Sequence, residues 1–165
     1  NKGANDLKKL HPKSHRLKAI LGLDAKNPAI VLPDADINNA VSECIMGSLS
    51  FNGQRCTALK ILFVHKSILD EFIDKFTKEV SKLKPGMPWE PGVSLTPLPE
   101  PGKVEFLRDL VEDAKAHGAN VVNEHGGEFF HTFFYPAVLR EFPRGTYAYA
   151  AVCFRYRAAG QIARG

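Results

Sequence analysis

The octet Phe51-Asn52-Gly53-Gln54-Arg55-Cys56-Thr57-Ala58 is the stretch from which the rest of the sequence is most easily interpreted. It places one thiol, Cys56, between the cation of Arg55 and the hydroxyl of Thr57. A thiol attacks as its anion, and a neighbouring positive charge favours that anion. Glycine at position 53 lets the backbone approach a ligand closely. The octet therefore predicts a loop that presents a nucleophilic Cys56, although a lone cysteine is also typical of an inert, packed thiol.

Helical and strand-like patterns alternate on both sides of this octet. Upstream, residues 16–23 and 28–32 have the apolar character of short strands, the second of them covered on both faces. Residues 37–49 then carry an apolar residue at every fourth position and follow two possible caps, Asp34 and Asp36. Since parallel strands need helical crossovers, the alternation predicts an α/β three-layer sandwich with a mostly parallel sheet.

Downstream of the octet, the pattern predicts a strand over residues 60–65 and two amphipathic helices, the first capped by Ser67. The apolar positions of these helices are Ile68, Leu69, Phe72, Ile73, Phe76, Val80 and Leu83 in the first, and Val104, Leu107, Val111 and Ala114 in the second. Residues 84–101 hold six prolines and predict a connector in which Trp89 packs against the core. Residues 121–122 and 129–139 supply further strands.

Composition excludes several kinds of protein. Of the 165 residues, 44% are hydrophobic and 24% charged, which is typical of a globular domain, and no apolar run is long enough to cross a bilayer. The net charge of +4 is spread over amphipathic helices without interleaved aromatics, so nucleic-acid binding is not expected. The three cysteines, Cys44, Cys56 and Cys153, form no metal-binding spacing, and they favour a reducing, cytoplasmic compartment.

Three segments together carry a family resemblance: the octet, KNPAIVLPDADI at 26–37 and PGMPWEPGVSLTPLPEPGK at 85–103. With their spacing, they resemble the aldehyde dehydrogenase superfamily, and within it the non-phosphorylating, NADP-dependent glyceraldehyde-3-phosphate dehydrogenases. The resemblance runs from about Asn1 to Leu139 and fails beyond that residue. It implies an incomplete catalytic domain, with residues 1–22 as the end of the coenzyme-binding domain, 23–142 as the catalytic portion and 143–165 as a divergent tail.

The resemblance also implies a reaction and a set of site residues. In this family a cysteine thiolate, here Cys56, adds to the aldehyde carbon, the adduct gives hydride to NADP or NAD, and water hydrolyses the thioester. Arg55 and Thr57 would hold the substrate, expected to be glyceraldehyde-3-phosphate, and its phosphate. Leu23 would contact the nicotinamide through its backbone. The small-molecule aldehyde is the expected partner, and homo-oligomers are a family property.

This chain departs from the family at the general base and at the cofactor. The family's glutamate stands 34 residues before the cysteine, where this sequence has Gly22, and Asp24 is the nearest substitute. The family's dinucleotide-binding segments precede Asn1, and of its Glu-Glu-x-Phe-Gly-Pro segment only Phe154 is kept. We therefore expect little or no oxidoreductase activity from these residues alone.

Two alternatives stay open at this point. The first is an esterase or thiol-acylating activity, which needs Cys56 but no nicotinamide. The second is a truncated, non-catalytic homologue that serves as a structural or interaction module. Because the sequence starts without methionine in the middle of a helical pattern, we also expect that it is a piece of a longer enzyme.

Overall fold

A computed structural model of the chain describes residues 2–21, 27–141 and 147–153, and a five-stranded sheet lies at its centre. The strands of this sheet are β1 (Asn27–Val31), β2 (Leu59–His65), β3 (Asn120–Val121), β6 (Ala137–Glu141) and β7 (Tyr147–Cys153), in the spatial order β1-β2-β7-β6-β3. A separate hairpin consists of β4 (Phe129–Phe130) and β5 (Phe133–Phe134). The helices are α1 (Lys2–Leu10), α2 (Ile37–Leu49), α3 (Leu69–Ser81) and α4 (Lys103–Ala116).

Helices cover both faces of the sheet at β6. Successive side chains of a strand point to opposite faces, and the buried residues of β6 follow that rule. Val138 packs into the cluster formed by α2, α3 and β2, whereas Ala137 and Leu139 pack into the cluster formed by α4. The layers are therefore helix, sheet and helix, which confirms the α/β class predicted from the sequence.

Strand pairing in the sheet is mixed. β1 and β2 run parallel, as expected for two strands joined by the crossover helix α2. The other three described pairs, β2 with β7, β6 with β7 and β3 with β6, are antiparallel. Only residues 142–146 separate β6 from β7, too few for the crossover that a parallel pair needs. Only one of the four described strand pairs in this sheet is therefore parallel, whereas the sequence predicted a mostly parallel sheet.

The helices that flank the octet are close to their predicted positions. Asp36, one of the two expected caps, accepts a hydrogen bond from the backbone N–H of Asn39 at 3.0 Å and begins α2. Ser67 does not cap α3: it lies in a 3₁₀ turn, Lys66–Ile68, and its N–H donates to the ring of His65. The core face of α3 is as predicted, with Leu69, Phe72, Ile73, Phe76 and Val80 buried.

Three further expectations were wrong. Residues 17–21 form no strand, because no described strand pairs with them, and residues 22–23 of that prediction lie outside the described part of the chain. Ile30 of β1 is 72% exposed, so β1 is not covered on both faces. Trp89 is 75% exposed and belongs to neither core cluster of the described residues, whereas Leu95 and Leu98 of the same connector are buried.

Candidate active site around Cys56

A tight reversal carries the chain from α2 to Cys56. Immediately after Leu49, residues Ser50–Gly53 form a 3₁₀ turn in which Phe51 and Asn52 both have φ of 54° and Gly53 has φ of 63°. The left-handed region is favourable for glycine and tolerable for asparagine, but it strains a bulky residue such as Phe51. Glycine at position 53 therefore adopts the left-handed backbone of this turn without the strain that Phe51 has, which is a structural reason for its presence.

Asn52 fixes this turn to the proline-rich connector. Its side chain is buried, and its amide nitrogen donates to the carbonyl of Thr96 at 3.1 Å and to the hydroxyl of Thr96 at 2.8 Å. Its carbonyl oxygen accepts from the N–H of Thr96 at 3.0 Å. Both the nitrogen and the oxygen of the Asn52 side chain are thus hydrogen-bonded to a single connector residue, Thr96.

Cys56 itself is exposed and lies in a turn formed by residues 55–58. The N–H of Ala58 donates to the carbonyl of Arg55 at 3.2 Å and closes this turn. From β1, Nδ2 of Asn27 donates to the carbonyls of Cys56 at 2.7 Å and Ala58 at 3.2 Å. The thiol is therefore open to solvent while the backbone that carries it is held from two sides.

Lys60 is a buried cation next to this turn. It is only 5% exposed, and its Nζ donates to the carbonyl of Gly53 at 2.8 Å. A buried ammonium is costly unless it is hydrogen-bonded, so this contact binds the two ends of the octet region together. The sequence analysis did not identify Lys60, Asn27 or the role of Asn52. For Lys60 a signal was available, because it is a lysine within an otherwise apolar strand.

The side chain of Arg55 is directed toward the end of α2. Its Nη2 donates to Ser50 Oγ at 2.6 Å and to the carbonyl of Met46 at 3.3 Å, and its guanidinium lies 5.6 Å from the centroid of the Phe51 ring. The carboxyl end of a helix favours a cation. Nε of Arg55 is buried and has no hydrogen-bond partner among the described residues. Thr57, on the other side of the thiol, is exposed.

The two described cysteine side chains differ sharply in environment. Cys44 is buried on α2, and burial, with the nearby charge of Glu43 adding to it, raises the pKa of this thiol to about 11. Cys56 is exposed. Cys44 is thus the packed thiol and Cys56 the accessible one.

The other predicted site residues cannot be placed. Gly22, Leu23 and Asp24 lie outside the described residues, so the substitution of the general base and the nicotinamide contact stay predictions. Within the described ranges, no group of three or more His, Cys, Asp or Glu side chains is arranged to hold a metal ion. In the same ranges, no helix is long and apolar enough to cross a membrane.

Three of the described helices, α2, α3 and α4, have N-termini that do not suit the pyrophosphate of a dinucleotide. Such a group binds backbone N–H groups at a helix start that carries no competing anion. Here α2 begins with the carboxylate of Asp36, α3 has Asp70 and Glu71 in its first turn, and α4 has Glu105. These three helix starts therefore offer no favourable site for such a group, whereas the first turn of α1 carries no acidic residue.

Two surface hollows lie away from the octet. One, of about 420 Å³, is lined mainly by aromatic residues of the β4–β5 hairpin together with Pro85 and Leu95. The other, of about 600 Å³, lies between α2 and α3 and is rimmed by lysines. Neither of these two hollows is lined by Cys56, Arg55 or Thr57.

Residues 6–154 match the model of the aldehyde dehydrogenase family. Among curated proteins, the chain is 41% identical over 102 residues to an NADP-dependent glyceraldehyde-3-phosphate dehydrogenase of Scenedesmus vacuolatus, covering 62% of this chain and 43% of that protein. It is 42% identical over 101 residues to a succinate-semialdehyde dehydrogenase [NADP(+)] of Mycobacterium tuberculosis, covering 61% of this chain and 22% of that protein.

Solved structures give the same result. A succinate-semialdehyde dehydrogenase from Burkholderia pseudomallei superposes with a TM-score of 0.73 at 34% identity, covering 84% of this chain and 29% of that chain. A glyceraldehyde-3-phosphate dehydrogenase from Methanocaldococcus jannaschii, complexed with NADP, superposes with a TM-score of 0.70 at 34% identity, covering 81% and 29%. The chain thus spans less than half the length of each of these relatives.

The match corrects the expected limit of the resemblance. Similarity was expected to fail after Leu139, but the family match continues to residue 154. The added part of the match includes β7, which falls within the supposed tail and pairs with both β2 and β6 at the middle of the sheet. The alanine-rich composition of this segment concealed its strand pattern.

Proposed function

The chain belongs to the aldehyde dehydrogenase family, and from this membership we propose that it takes part in the NAD(P)-dependent oxidation of an aldehyde, with Cys56 as the nucleophile. The observation that carries this proposal is the exposure of Cys56 on a turn whose backbone is held by Asn27 and by its own closing hydrogen bond. The thiolate sulfur adds to the carbonyl carbon, and the π electrons move to the oxygen. The Cys56 backbone N–H is the chain's own donor for that oxyanion.

We propose an aldehyde that bears an anionic group as the substrate, with glyceraldehyde-3-phosphate as the first choice. Relatives at 36–41% identity carry that substrate in their names, and others are named for succinate semialdehyde and alpha-aminoadipic semialdehyde. All three compounds combine an aldehyde with a phosphate or carboxylate. Arg55 and Thr57 flank the thiol and are the proposed substrate-binding residues, since a guanidinium binds both kinds of anion.

For Arg55, substrate binding requires a rearrangement. Its guanidinium is hydrogen-bonded to Ser50 and to the carbonyl of Met46, and its Nε lacks a partner among the described residues. A buried donor without a partner is destabilising by about 1–3 kcal/mol. An arriving phosphate or carboxylate would supply acceptors for this donor, and the charge-assisted bonds would offset the loss of Ser50.

We propose NADP as the cofactor of the whole protein, from the NADP-dependent relatives and NADP-bound neighbours. NADP supplies the hydride acceptor when it is bound. The starts of α2, α3 and α4 carry anions that disfavour its pyrophosphate, Leu23 is the proposed contact, and Gly22 stands where the family has its glutamate. These points support the proposal that the 165 residues alone have little oxidoreductase activity.

Domain limits and setting are also proposals. We propose that residues 1–22 are the end of the coenzyme-binding domain, that 23–142 are the catalytic portion and that 143–165 are a tail. Because β7 pairs with β2 and β6, residues 147–153 of this tail are better assigned to the catalytic portion. The free Cys44 and Cys56 support a cytoplasmic setting. Assembly into homo-oligomers stays a proposal from the family.

A second candidate activity is thiol acylation without a nicotinamide. It is favoured by the combination of an exposed Cys56 with anions at the starts of α2, α3 and α4, which disfavour a pyrophosphate there. Purified chain should be assayed with glyceraldehyde-3-phosphate and NADP, and in parallel with p-nitrophenyl acetate. We expect no NADPH formation and slow ester turnover that Cys56→Ser abolishes.

The two assays separate the possibilities. Robust NADPH formation would contradict the proposed inactivity of this part and would support the full dehydrogenase reaction. Ester turnover that survives in Cys56→Ser would contradict the role of Cys56. Absence of both activities, with a Cys56 that reacts with iodoacetamide no faster than a free thiol, would favour the non-catalytic module.

A further inference from the structure

Asn27 is the residue through which β1 reaches the turn that carries Cys56. It lies at the start of β1 and pairs in register with Leu59 at the start of β2. The register then shifts between Asn27 and Pro28, and Pro28 has no N–H to donate. The Asn27 side chain bonds the carbonyls of Cys56 and Ala58, which immediately precede β2.

We propose that Asn27 is a positioning residue for the thiol chemistry of Cys56, an inference that rests on the function proposed above. Its two hydrogen bonds, from Nδ2 to the carbonyls of Cys56 and Ala58, are called here the Asn27 clamp. A single amide nitrogen carries two hydrogens, so it can satisfy both carbonyls at once. Loss of the side chain therefore frees two backbone acceptors together.

One peptide unit precedes Cys56 and one follows it, and the bond from Asn27 to the Cys56 carbonyl orients the unit that follows. Peptide units are planar, so a hydrogen bond to one end of a unit orients the other end. The Arg55 carbonyl accepts from Ala58 N–H at 3.2 Å, which orients the unit that ends in the Cys56 N–H. The Cys56 carbonyl accepts from Asn27 at 2.7 Å, which orients the following unit. Between them, the two bonds set both backbone dihedrals of Cys56.

The first of these dihedrals, φ, decides together with χ1 where the Cys56 N–H points relative to the thiol. The clamp acts on φ through Ala58: it holds the carbonyl of this residue, whose N–H closes the turn on the Arg55 carbonyl. In acyl transfer the sulfur bonds to the carbonyl carbon while the N–H of the same residue meets the developing oxyanion, so the angle between them matters. Alkylation by iodoacetamide displaces iodide in one step and develops no oxyanion. The clamp should therefore affect acylation of Cys56 far more than it affects alkylation.

The test compares those two rates in the same protein. Two rates are measured at Cys56: acylation by p-nitrophenyl acetate and alkylation by iodoacetamide, with each modified residue located by peptide mass. The proteins compared are wild type, Asn27→Leu, Asn27→Ser and the exposed control Asn39→Leu. Removal of an oxyanion donor costs about 10²–10³ in rate, and we expect a misaligned donor to lower the acylation-to-alkylation ratio on the order of tenfold in Asn27→Leu. Asn27→Ser, which can donate one hydrogen, should be intermediate, and Asn39→Leu should match wild type.

A second measurement does not depend on any variant. In wild type, the two side-chain amide protons of Asn27 should exchange with solvent much more slowly than those of Asn39, measured by NMR. Exchange as fast as that of Asn39 would overturn the inference. So would an acylation-to-alkylation ratio in folded Asn27→Leu that stays within about twofold of the wild-type ratio. Wild type that is alkylated but never acylated at Cys56 would instead count against the proposed function, and the exchange of the Asn27 amide would still decide the clamp.

Discussion

Asn52 and Thr96 lie 44 positions apart in the chain and are joined by three hydrogen bonds. Asn52 belongs to the left-handed turn that precedes Cys56, and Thr96 belongs to the proline-rich connector between α3 and α4. The connector has no regular structure of its own over this segment. Its order near Thr96 and the shape of the cysteine turn are therefore coupled.

Replacing Asn52 should destabilise the fold in two separable ways. Asn52→Gly keeps the left-handed backbone but loses the hydrogen bonds, and we expect its free energy of unfolding to fall by about 1–3 kcal/mol because Thr96 keeps unpaired groups. Asn52→Ala should lose more, because alanine is strained at a φ of 54°. Urea unfolding measures both changes. Equal losses would indicate that the backbone conformation contributes nothing.

Lys60→Met should destabilise the chain although it removes a buried charge. Methionine has a similar length but leaves the Gly53 carbonyl without the donor that now lies 2.8 Å away, which costs about 1–3 kcal/mol. The matched control is Lys78→Met on the exposed face of α3, for which we expect a change within about 0.5 kcal/mol. Similar unfolding midpoints for the two variants would contradict the role assigned to Lys60.

Alkaline pH should destabilise the fold partly through Cys44. Burial and Glu43 raise the pKa of this thiol to about 11, so the unfolded chain releases the proton at lower pH than the folded chain. Its effect is absent below the ordinary thiol pKa and grows as the pH rises toward 11. In Cys44→Val the free energy of unfolding should fall less between pH 8 and about 10.5 than in wild type.

The comparison with wild type isolates this effect. Tyr135, whose pKa is also raised by burial and by Glu124, titrates in both proteins and cancels in the difference. Parallel pH dependences of the two proteins would show that Cys44 is not held in a desolvated site.

The rings of Phe72 and Phe76 should dominate the core between α3 and the sheet. Both side chains are essentially inaccessible, and their ring centroids lie 5.6 Å apart. Phe76→Ala should cost about 3–5 kcal/mol by loss of burial and creation of a cavity. Phe106→Ala, on the half-exposed face of α4, is the matched control, and thermal unfolding of both should show a much larger shift for Phe76→Ala.

Helical periodicity predicted the core faces of α3 and α4, because burial of one face is a local property of the sequence. The cap at Asp36 was equally local. Trp89 and Ile30 were not predicted, since whether a large apolar residue is covered depends on elements far away in the chain. β7 was not predicted because its alanine-rich sequence carries a weak strand pattern. Its pairing with β2 and β6 depends on residues far away in the chain.

The candidate site was predicted only in part. The octet and its family resemblance identified Cys56, and the structure finds it exposed. Asn27 holds the carbonyl of Cys56 and Lys60 holds the carbonyl of Gly53, through hydrogen bonds that no spacing rule encodes. Arg55 was expected beside the substrate, but its contacts with Ser50 and Met46 depend on how the chain reverses after α2.

The most direct test of the central claim is to map where an activated acyl group attaches. The folded chain is treated briefly with p-nitrophenyl acetate, then digested, and the acetylated cysteine is located by peptide mass. We predict a thioester on Cys56 and none on Cys44 until the chain is unfolded. A folded chain in which Cys56 stays unmodified, while the same residue is acetylated in denaturant, would contradict the assignment of Cys56 as the nucleophile.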